Sequence, residues 1–400
     1  MGDRHFFFAG GGTGGHIYPA VAVAEQIVRI DPAAEIHFFC STRNIDRHIL
    51  GQTAFKYTTL PAKAFSVRPK GLSEFGKSFL ASYRVAAEAL DVSLASGRAS
   101  YEVRRATEEG HTRYTTGFTQ QGTVVIGVGG FISAPVCLAA HRRRVPIALL
   151  NVDIVPGRAN KIIARWAQEI FVQFQETAQY FARRKKQVSL VGCPLRERFS
   201  HPQRDEAIRQ LGLNGHKKIL LVTGASSGAE NINSAVCSLL EKLDAFADDW
   251  QIVHLAGHNN YEGVQDCYKD ARIEHKVLSY FDNMADLLAA ADLVIGRSGA
   301  VSVAEYAAAA VPSICMPYPY HKDRQQYLNA GKLVEVGAAV IVDDVPDEKD
   351  RSEWLWEELE KLMKDQKARQ VMAEGCKIVT NLGADLKIAE KLLKMADSSS

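Results

Sequence analysis

One local pattern governs what this chain can fold into: a short apolar run breaks into glycines and then into residues at helical spacing. It occurs four times, at "FFFAGGGTGGHIYPA", "TVVIGVGGFISAPVCLAA", "ILLVTGASSGAENIN" and "LVIGRSGAVSVAEYAAAA". Runs this brief and this apolar fit strands buried on both faces of a parallel sheet, and the amphipathic segments between them fit crossover helices. Two of the turns precede residue 140 and two follow residue 215. The pattern therefore implies two doubly wound α/β domains, with the glycine turns at the carboxyl ends of strands, where such sheets bind ligands. A length of 400 residues agrees with two cores.

Strands are expected over 6–9, 36–40, 124–128, 147–150, 219–223, 252–256, 293–295 and 313–316. The domains are expected to span 1–196 and 197–382, with the polar stretch 196–218 as the link between them. A Ser-, Thr-, Gly- and Arg-rich insertion over about 94–121 reads as a surface excursion with a short helix at 101–109. A closing helix over 383–397 is free to rejoin the first domain.

Composition narrows the function. The chain is 46% hydrophobic and 24% charged, close to the globular average. A net charge of +2 gives no general pull on nucleic acid, so no nucleic-acid partner is expected. No apolar run approaches the ~18 residues that cross a bilayer. The opening "MGDRHFFFAG" lacks the layout of a signal peptide, because its apolar run ends in glycines. Seven scattered cysteines without a C-x-x-C pair suggest neither a disulfide framework nor a zinc site, but buried thiols.

Gly10, Gly12 and Gly15 satisfy G-x-G-x-x-G after a strand and before a helix. A dinucleotide site also wants an acid at the end of the second strand, and "FFCSTRN" offers Cys40, Ser41 and Thr42 instead. A P-loop would need Lys-Ser or Lys-Thr after the last glycine. What remains is either a structural turn or a loop whose N–H groups face an anion or a sugar. His16 follows at the first turn of the helix, where the dipole disfavours a positive charge. A neutral imidazole there can accept a proton, unless it only hydrogen-bonds its own loop.

In the second half, Ser226 and Ser227 sit among glycines at one helix start, and Ser298, Ala300 and Ser302 at another. Two such N-termini can hold a diphosphate between them, each contributing ~0.3–2 kcal/mol. Arg196 of "VGCPLRERF" can add a bidentate contact. Glu305 lies three residues after Ser302, which fits either a capping box or a carboxylate that accepts both ribose hydroxyls. Gln325 and Gln326 in "PYPYHKDRQQYLNA" pair donors with acceptors, as a sugar's vicinal hydroxyls require; the plainer reading is a solvated helix start.

Taken together, "GGTGGHIYPAVAVA", "GASSGA", "RSGAVSVAE" and "HKDRQQYLNA" resemble the bacterial MurG family, the N-acetylglucosaminyltransferases that make lipid II from lipid I. The resemblance runs in order along nearly the whole chain, the 94–121 insertion apart. It implies a GT-B architecture, two Rossmann-like domains facing a cleft. The first would receive the undecaprenyl-linked acceptor, lipid I, and the second would hold UDP-N-acetylglucosamine. It also implies that Thr13, Gly14 and Gly15 approach the donor's sugar or diphosphate. Arg196 and Ser226 would meet the nucleotide, and Phe281 the uracil through its backbone. Ala300, Val301 and Ser302 would face the phosphates, Glu305 the ribose, and Gln325 and Gln326 the sugar. The chain departs from the family where a His-Glu-Gln-Asn string is usual. There "LLNVDIVPGRAN" puts Asn151 at the glutamate position and Asp153 at the asparagine position.

The implied reaction is an inverting single displacement in which the acceptor's C4 hydroxyl attacks the anomeric carbon as UDP leaves. It needs a base at the hydroxyl and positive potential at the diphosphate. His16 is the first candidate base and Asp153 the second. No D-x-D motif is present, so neither a bound metal nor a cofactor is expected. Three alternatives stay open. One is a transferase of the same architecture acting on a different lipid or natural-product acceptor. The others are a dinucleotide-dependent oxidoreductase and a sugar-nucleotide 2-epimerase.

A lipid acceptor also requires membrane contact. Leu72, Phe75, Phe79 and Tyr83 recur at i, i+3, i+7 and i+11, flanked by Lys70, Lys77 and Arg84, while "HRRRVP" supplies Arg142, Arg143 and Arg144. The stripe reads as an interfacial patch for anionic lipid or as an ordinary core-facing helix. The resemblance implies a peripheral protein on the cytoplasmic face of the inner membrane.

Overall fold

Five residues, HFFFA, form the first strand, β1 (His5–Ala9), and all five are buried, as a strand flanked on both edges and covered on both faces must be. The computed structural model describes residues 4–63, 69–96, 101–106, 112–117, 122–224 and 228–398. The chain clusters into two compact units. The first comprises Met1–Asn151, Pro156–Val191 and Asp385–Ser400; the second comprises Val152–Val155 and Gly192–Ala384.

In the first unit β1 is followed by β2 (Glu35–Ser41), β3 (Lys56–Leu60), β4 (Tyr101–Ala106), β5 (Thr112–Gly117), β6 (Thr123–Gly127), β7 (Ile147–Asn151), β8 (Glu169–Val172) and β9 (Val188–Leu190). Its helices are α1 (Gly14–Ile30), α2 (Asn44–Gly51), α3 (Pro69–Ser96), α4 (Gly130–Arg142) and α5 (Arg158–Ile163). The sheet order is β3-β2-β1-β6-β7-β8-β9, with every neighbouring pair parallel. Winding therefore reverses between β1 and β6, which makes that strand pair the topological switch point. Phe7, Phe39, Val125, Val136 and Leu149 belong to one core cluster that packs the sheet against α4.

The second unit contains β10 (Lys218–Thr223), β11 (Trp250–Leu255), β12 (Glu274–Leu278), β13 (Leu293–Gly296), β14 (Ser313–Cys315) and β15 (Ala339–Ile341). They are interleaved with α6 (Arg204–Leu211), α7 (Glu230–Cys237), α8 (Leu240–Leu243), α9 (Tyr261–Cys267), α10 (Met284–Ala290), α11 (Ala300–Ala308) and α12 (Gln325–Val334). Then follow α13 (Glu348–Lys364) and α14 (Gln366–Val379), and the chain closes with α15 (Ala384–Asp397), which from Asp385 on belongs to the first unit. The sheet order β12-β11-β10-β13-β14-β15 repeats the reversal, here between β10 and β13. Leu220, Val222, Trp250, Ile252, Ile295 and Leu355 share its core cluster.

Two local expectations are corrected. Where a helix is expected over 101–109, residues 101–106 form a strand, β4, which pairs antiparallel with β5 from Tyr101 opposite Gly117 to Ala106 opposite Thr112, while 107–109 lie outside the described residues. Valine, tyrosine and threonine in alternation favour a pleated ribbon, and a short polar helix without a packing face is marginal in water. The stretch 196–218 is not an open link either. It carries a short turn (Glu197–Phe199) and then α6, both fastened to α10, the turn by Arg198 on Asp286 (2.6 Å) and the helix by Arg204 Nη1 on the Ala290 carbonyl (2.6 Å).

The last helix docks on the first unit. Gln26 Nε2 donates to Asp385 Oδ2 at 2.8 Å, the Gly122 N–H donates to the Ala396 carbonyl at 3.3 Å, and Ile388, Ala389 and Leu392 are fully buried.

Candidate active site

At the first unit's switch point two glycine turns meet around one imidazole. Gly12 has a φ of 92°, Gly129 of 117° and Gly130 of 76°, conformations that glycine adopts without a steric penalty. A side chain at Gly129 would place its first carbon 3.1 Å from His16 Nε2. One at Gly130 would lie 3.0 Å from the Gly11 carbonyl. The glycines thus let the second turn press against the ring of His16. That ring is half-buried, with Nδ1 3.3 Å from Thr13 Oγ1. Ser133 Oγ fastens the two turns by donating to the Ala9 carbonyl at 2.6 Å and accepting the Gly129 N–H at 3.0 Å. Gly14 and Gly15 open α1 beside it.

Sequence reasoning missed Asp46. Its side chain is fully buried on α2, and its carboxylate accepts the Gly12 N–H at 2.8 Å and the Ser41 N–H at 2.8 Å. The Ser41 hydroxyl adds a third bond at 2.5 Å. Arg43 Nη1 caps the same loop from outside, donating to the Gly12 carbonyl at 2.6 Å. An acid does stand just past the second strand, but its oxygens hold the glycine loop itself. The available signal was an acid in the first turn of the helix after that strand.

Asn151, at the departure from the family pattern, is buried and accepts Asn160 Nδ2 at 2.8 Å. Asp153 lies in the short segment that clusters with the second unit, where Asn329 Nδ2 reaches it at 3.5 Å and Asn329 Oδ1 accepts the Ile154 N–H at 3.3 Å.

At the second unit's switch point, Gly224, just after β10, lies so close to Gly228 and Ala229 that a side chain on it would collide with Ala229 N and Gly228. Ser226 and Ser227 lie outside the described residues. After β13, Gly299 is the N-cap of α11 and makes no side-chain cap bond. The helix therefore starts too early for Ser302 and Glu305 to form a capping box, which would need Ser302 itself at the N-cap. Ala300, Val301 and Ser302 occupy the first turn of α11 instead. Glu305 follows one turn on, and burial raises its carboxyl from the ordinary 4.5 to about 7, with the charge of Arg196 working against the rise.

Arg196 Nη1 donates to the Asp282 carbonyl at 3.0 Å, which ties it to the loop that carries half-buried Phe281. Gln325 and Gln326 open α12 behind Arg324, whose φ of 50° is left-handed. The Gln326 side-chain oxygen accepts the Tyr318 N–H at 2.8 Å, and its carbonyl accepts Ser298 Oγ at 2.9 Å. The openings of α11 and α12 are thus stitched together. The structure brings Arg196, Phe281, Ala300–Ser302, Glu305, Gln325, Gln326 and Asp153 into the second unit, while Thr13–His16 gather in the first. An open depression lined by Arg198, Glu206, Arg209, Gln210 and Asn283 contains none of these residues.

On α3, Phe75 and Phe79 are half-buried with ring centroids 5.8 Å apart, whereas Tyr83 packs on the first unit's core. The side chain of Leu72 is outside the described ones. Leu80, at 49% exposure, is the more open apolar residue, and Lys77, Arg84, Arg142 and Arg144 are exposed. Arg143 is bound to Asp91 at 2.7 Å. Among the described residues no helix is long and apolar enough to cross a membrane.

Comparison with known proteins adds sequence and fold relatives. Residues 6–172 match the glycosyltransferase family 28 N-terminal domain and residues 219–386 its C-terminal domain. A UDP-N-acetylglucosamine--N-acetylmuramyl-(pentapeptide) pyrophosphoryl-undecaprenol N-acetylglucosamine transferase from Halothermothrix orenii is 33% identical over 377 residues, 92% of this chain and 93% of that protein. The crystal structure of Acinetobacter baumannii MurG superposes with a TM-score of 0.63 at 21% identity, covering 98% of this chain and 99% of that one. A UDP-GlcNAc 2-epimerase from Neisseria meningitidis bound to UDP-GlcNAc reaches 0.65 at 13% identity, covering 98% and 100%. The fold is the one these glycosyltransferases and epimerases share, the GT-B fold.

Proposed function

This chain belongs to glycosyltransferase family 28, and from that premise we propose that it moves N-acetylglucosamine from UDP-N-acetylglucosamine to the C4 hydroxyl of the N-acetylmuramyl residue of lipid I. The products are lipid II and UDP. The observation that carries the reading is the switch point of the second unit. Two helices open there at neighbouring strand ends, and Glu305 stands one turn along the second, under the charge of Arg196. Adjacent helix N-termini suit a diphosphate, and a carboxylate beyond them suits ribose hydroxyls.

In this reading Ala300, Val301 and Ser302 face the diphosphate together with Ser226. Arg196 and the Phe281 loop take the uridine, and Gln325 and Gln326 take the sugar hydroxyls. Thr13, Gly14 and Gly15 present backbone N–H groups to the donor as it reacts. The bond from the anomeric carbon to the phosphate oxygen breaks as the bond to the acceptor oxygen forms, and the configuration inverts. His16 receives the acceptor's proton: in the tautomer that places the ring N–H on Nδ1, 3.3 Å from Thr13 Oγ1, Nε2 carries the free lone pair. Asp153, 3.5 Å from Asn329 Nδ2, is the second candidate for that proton. Phe75, Phe79 and Leu80, with Lys77, Arg84, Arg142 and Arg144, meet the anionic cytoplasmic surface of the inner membrane, which makes the protein peripheral.

The test is direct. The purified chain, given UDP-N-acetylglucosamine and detergent-dispersed lipid I, should yield equal amounts of lipid II and UDP. Release of N-acetylmannosamine without acceptor would instead identify an epimerase. Turnover with some other acceptor but not with lipid I would keep the donor half of the reading and overturn the acceptor half.

A further inference from the structure

Asp344 follows β15 and lies at the same sheet edge as the two glycine turns of the second unit, two strands away from β13. Its side chain is wholly buried, and three groups from three elements converge on it. Asn231 Nδ2, in the first turn of α7, donates to Oδ1 at 2.7 Å. Arg297 Nη1, from the residue between β13 and Ser298, lies 2.8 Å from Oδ2. Arg351 Nη1, from α13, lies 3.6 Å from Oδ1 and also donates to the Val345 carbonyl at 2.8 Å. Arg351 Nη2 then reaches Ser234 Oγ on α7 at 3.2 Å. One carboxylate thus anchors the helix that follows the first glycine turn and the residue that begins the second.

Burying two guanidinium groups with one carboxylate is a costly way to gain stability, because desolvation offsets most of the attraction and apolar residues of similar size would serve as well. What the arrangement does supply is a fixed spacing between two helix openings. Within this group of three, two cations stand against one anion, a balance that suits a place behind an anionic ligand.

We infer that Asp344 is a positioning residue for the nucleoside diphosphate. It holds α7 and the opening of α11 at the separation a ligand bridging both must find, without touching that ligand. The inference rests on the donor site proposed above and deepens it. A ligand held by two helix openings binds tightly only if both are in place at once, so the loss of their shared anchor weakens binding while every contacting group remains.

Calorimetric titration of UDP into wild type, Asp344→Asn and Asn231→Ala, with KM measured for donor and acceptor, tests this. Loss of a charge-assisted anchor should raise the UDP Kd about tenfold in Asp344→Asn. A smaller rise is expected in Asn231→Ala, with donor KM following and acceptor KM unmoved in both. Asn231 is only half-buried, so its variant decides the matter even if Asp344→Asn does not fold. A lowered melting temperature with an unchanged UDP Kd in Asn231→Ala would mean a purely structural knot and overturn the inference. Failure of the wild type to bind UDP would remove the donor site itself, a different and recognisable result.

Discussion

His16 owes its chemistry to its neighbours rather than to its own position in the sequence. Gly129 leaves room for the ring, and Thr13 Oγ1 lies 3.3 Å from Nδ1, which in the proposed reaction leaves Nε2 to take the proton. His16→Ala should reduce turnover by about 10²–10⁴, the usual loss for a general base, with the UDP Kd unchanged; turnover near wild type would take the role away. Glu305 makes a prediction of a different kind. Burial holds its carboxyl at about 7 against an ordinary 4.5. Between those values the folded chain keeps a proton that the unfolded chain has released, so stability falls as pH rises across that window and then levels off. The loss amounts to roughly 3 kcal/mol at most. Glu305→Gln should abolish this slope, and melting midpoints near pH 5 and near pH 8 will show it. In the wild type, donor affinity should rise through the same window, because the ionised carboxylate is the form that accepts ribose hydroxyls.

At the scale of elements, all eight strands expected from the sequence form, within a residue or two at their ends. They are the central ones, whose residues are apolar because both faces are covered. The strands that sequence reasoning passed over are mostly short or at the margins. β3 and β12 close their sheets with largely exposed residues, and β9 and β15 have three residues each. A half-wet edge strand leaves no continuous apolar run to read. The glycine turns were legible because backbone freedom between strand and helix is conspicuous in a sequence. What stiffens them was not. Asp46 reaches back to Gly12 from a helix after the next strand, and Asp344 ties two turns together from beyond β15; neither pairing has a fixed spacing that a sequence could announce. Asp46→Asn would face backbone N–H donors with an NH₂ group in one rotamer and forfeit the charge in either. It should cost about 1–3 kcal/mol, read as a lower denaturation midpoint, and reduce activity through the loosened Gly10–Gly12 loop. A midpoint equal to wild type would show that the buried carboxylate is dispensable.

For the molecule as a whole, two reversals of winding, one per unit, put glycine turns at both switch points, and this much followed from counting four strand-to-glycine runs. The proposed membrane face was less legible, since an aromatic stripe on a helix looks the same whether it meets lipid or core. In the structure the stripe divides: Tyr83 turns to the core, while Phe75 and Phe79 keep some exposure next to open Leu80. Phe75→Ser/Phe79→Ser should therefore float poorly with vesicles containing anionic phospholipid while melting like the wild type. Equal flotation by the folded variant would assign the stripe to packing alone.

The return of α15 to the first unit has a consequence for how the chain is made. Val152–Val155 and Gly192–Ala384 interrupt that unit, and its remaining stretch, Asp385–Ser400, is synthesised only after the second unit. Until then Gln26 lacks its buried carboxylate partner and the apolar seat of Ile388 and Leu392 stays open to water. The N-terminal half must wait, unfinished, through the synthesis of its neighbour, and a nascent chain stalled before residue 385 offers quality-control machinery an unsealed core.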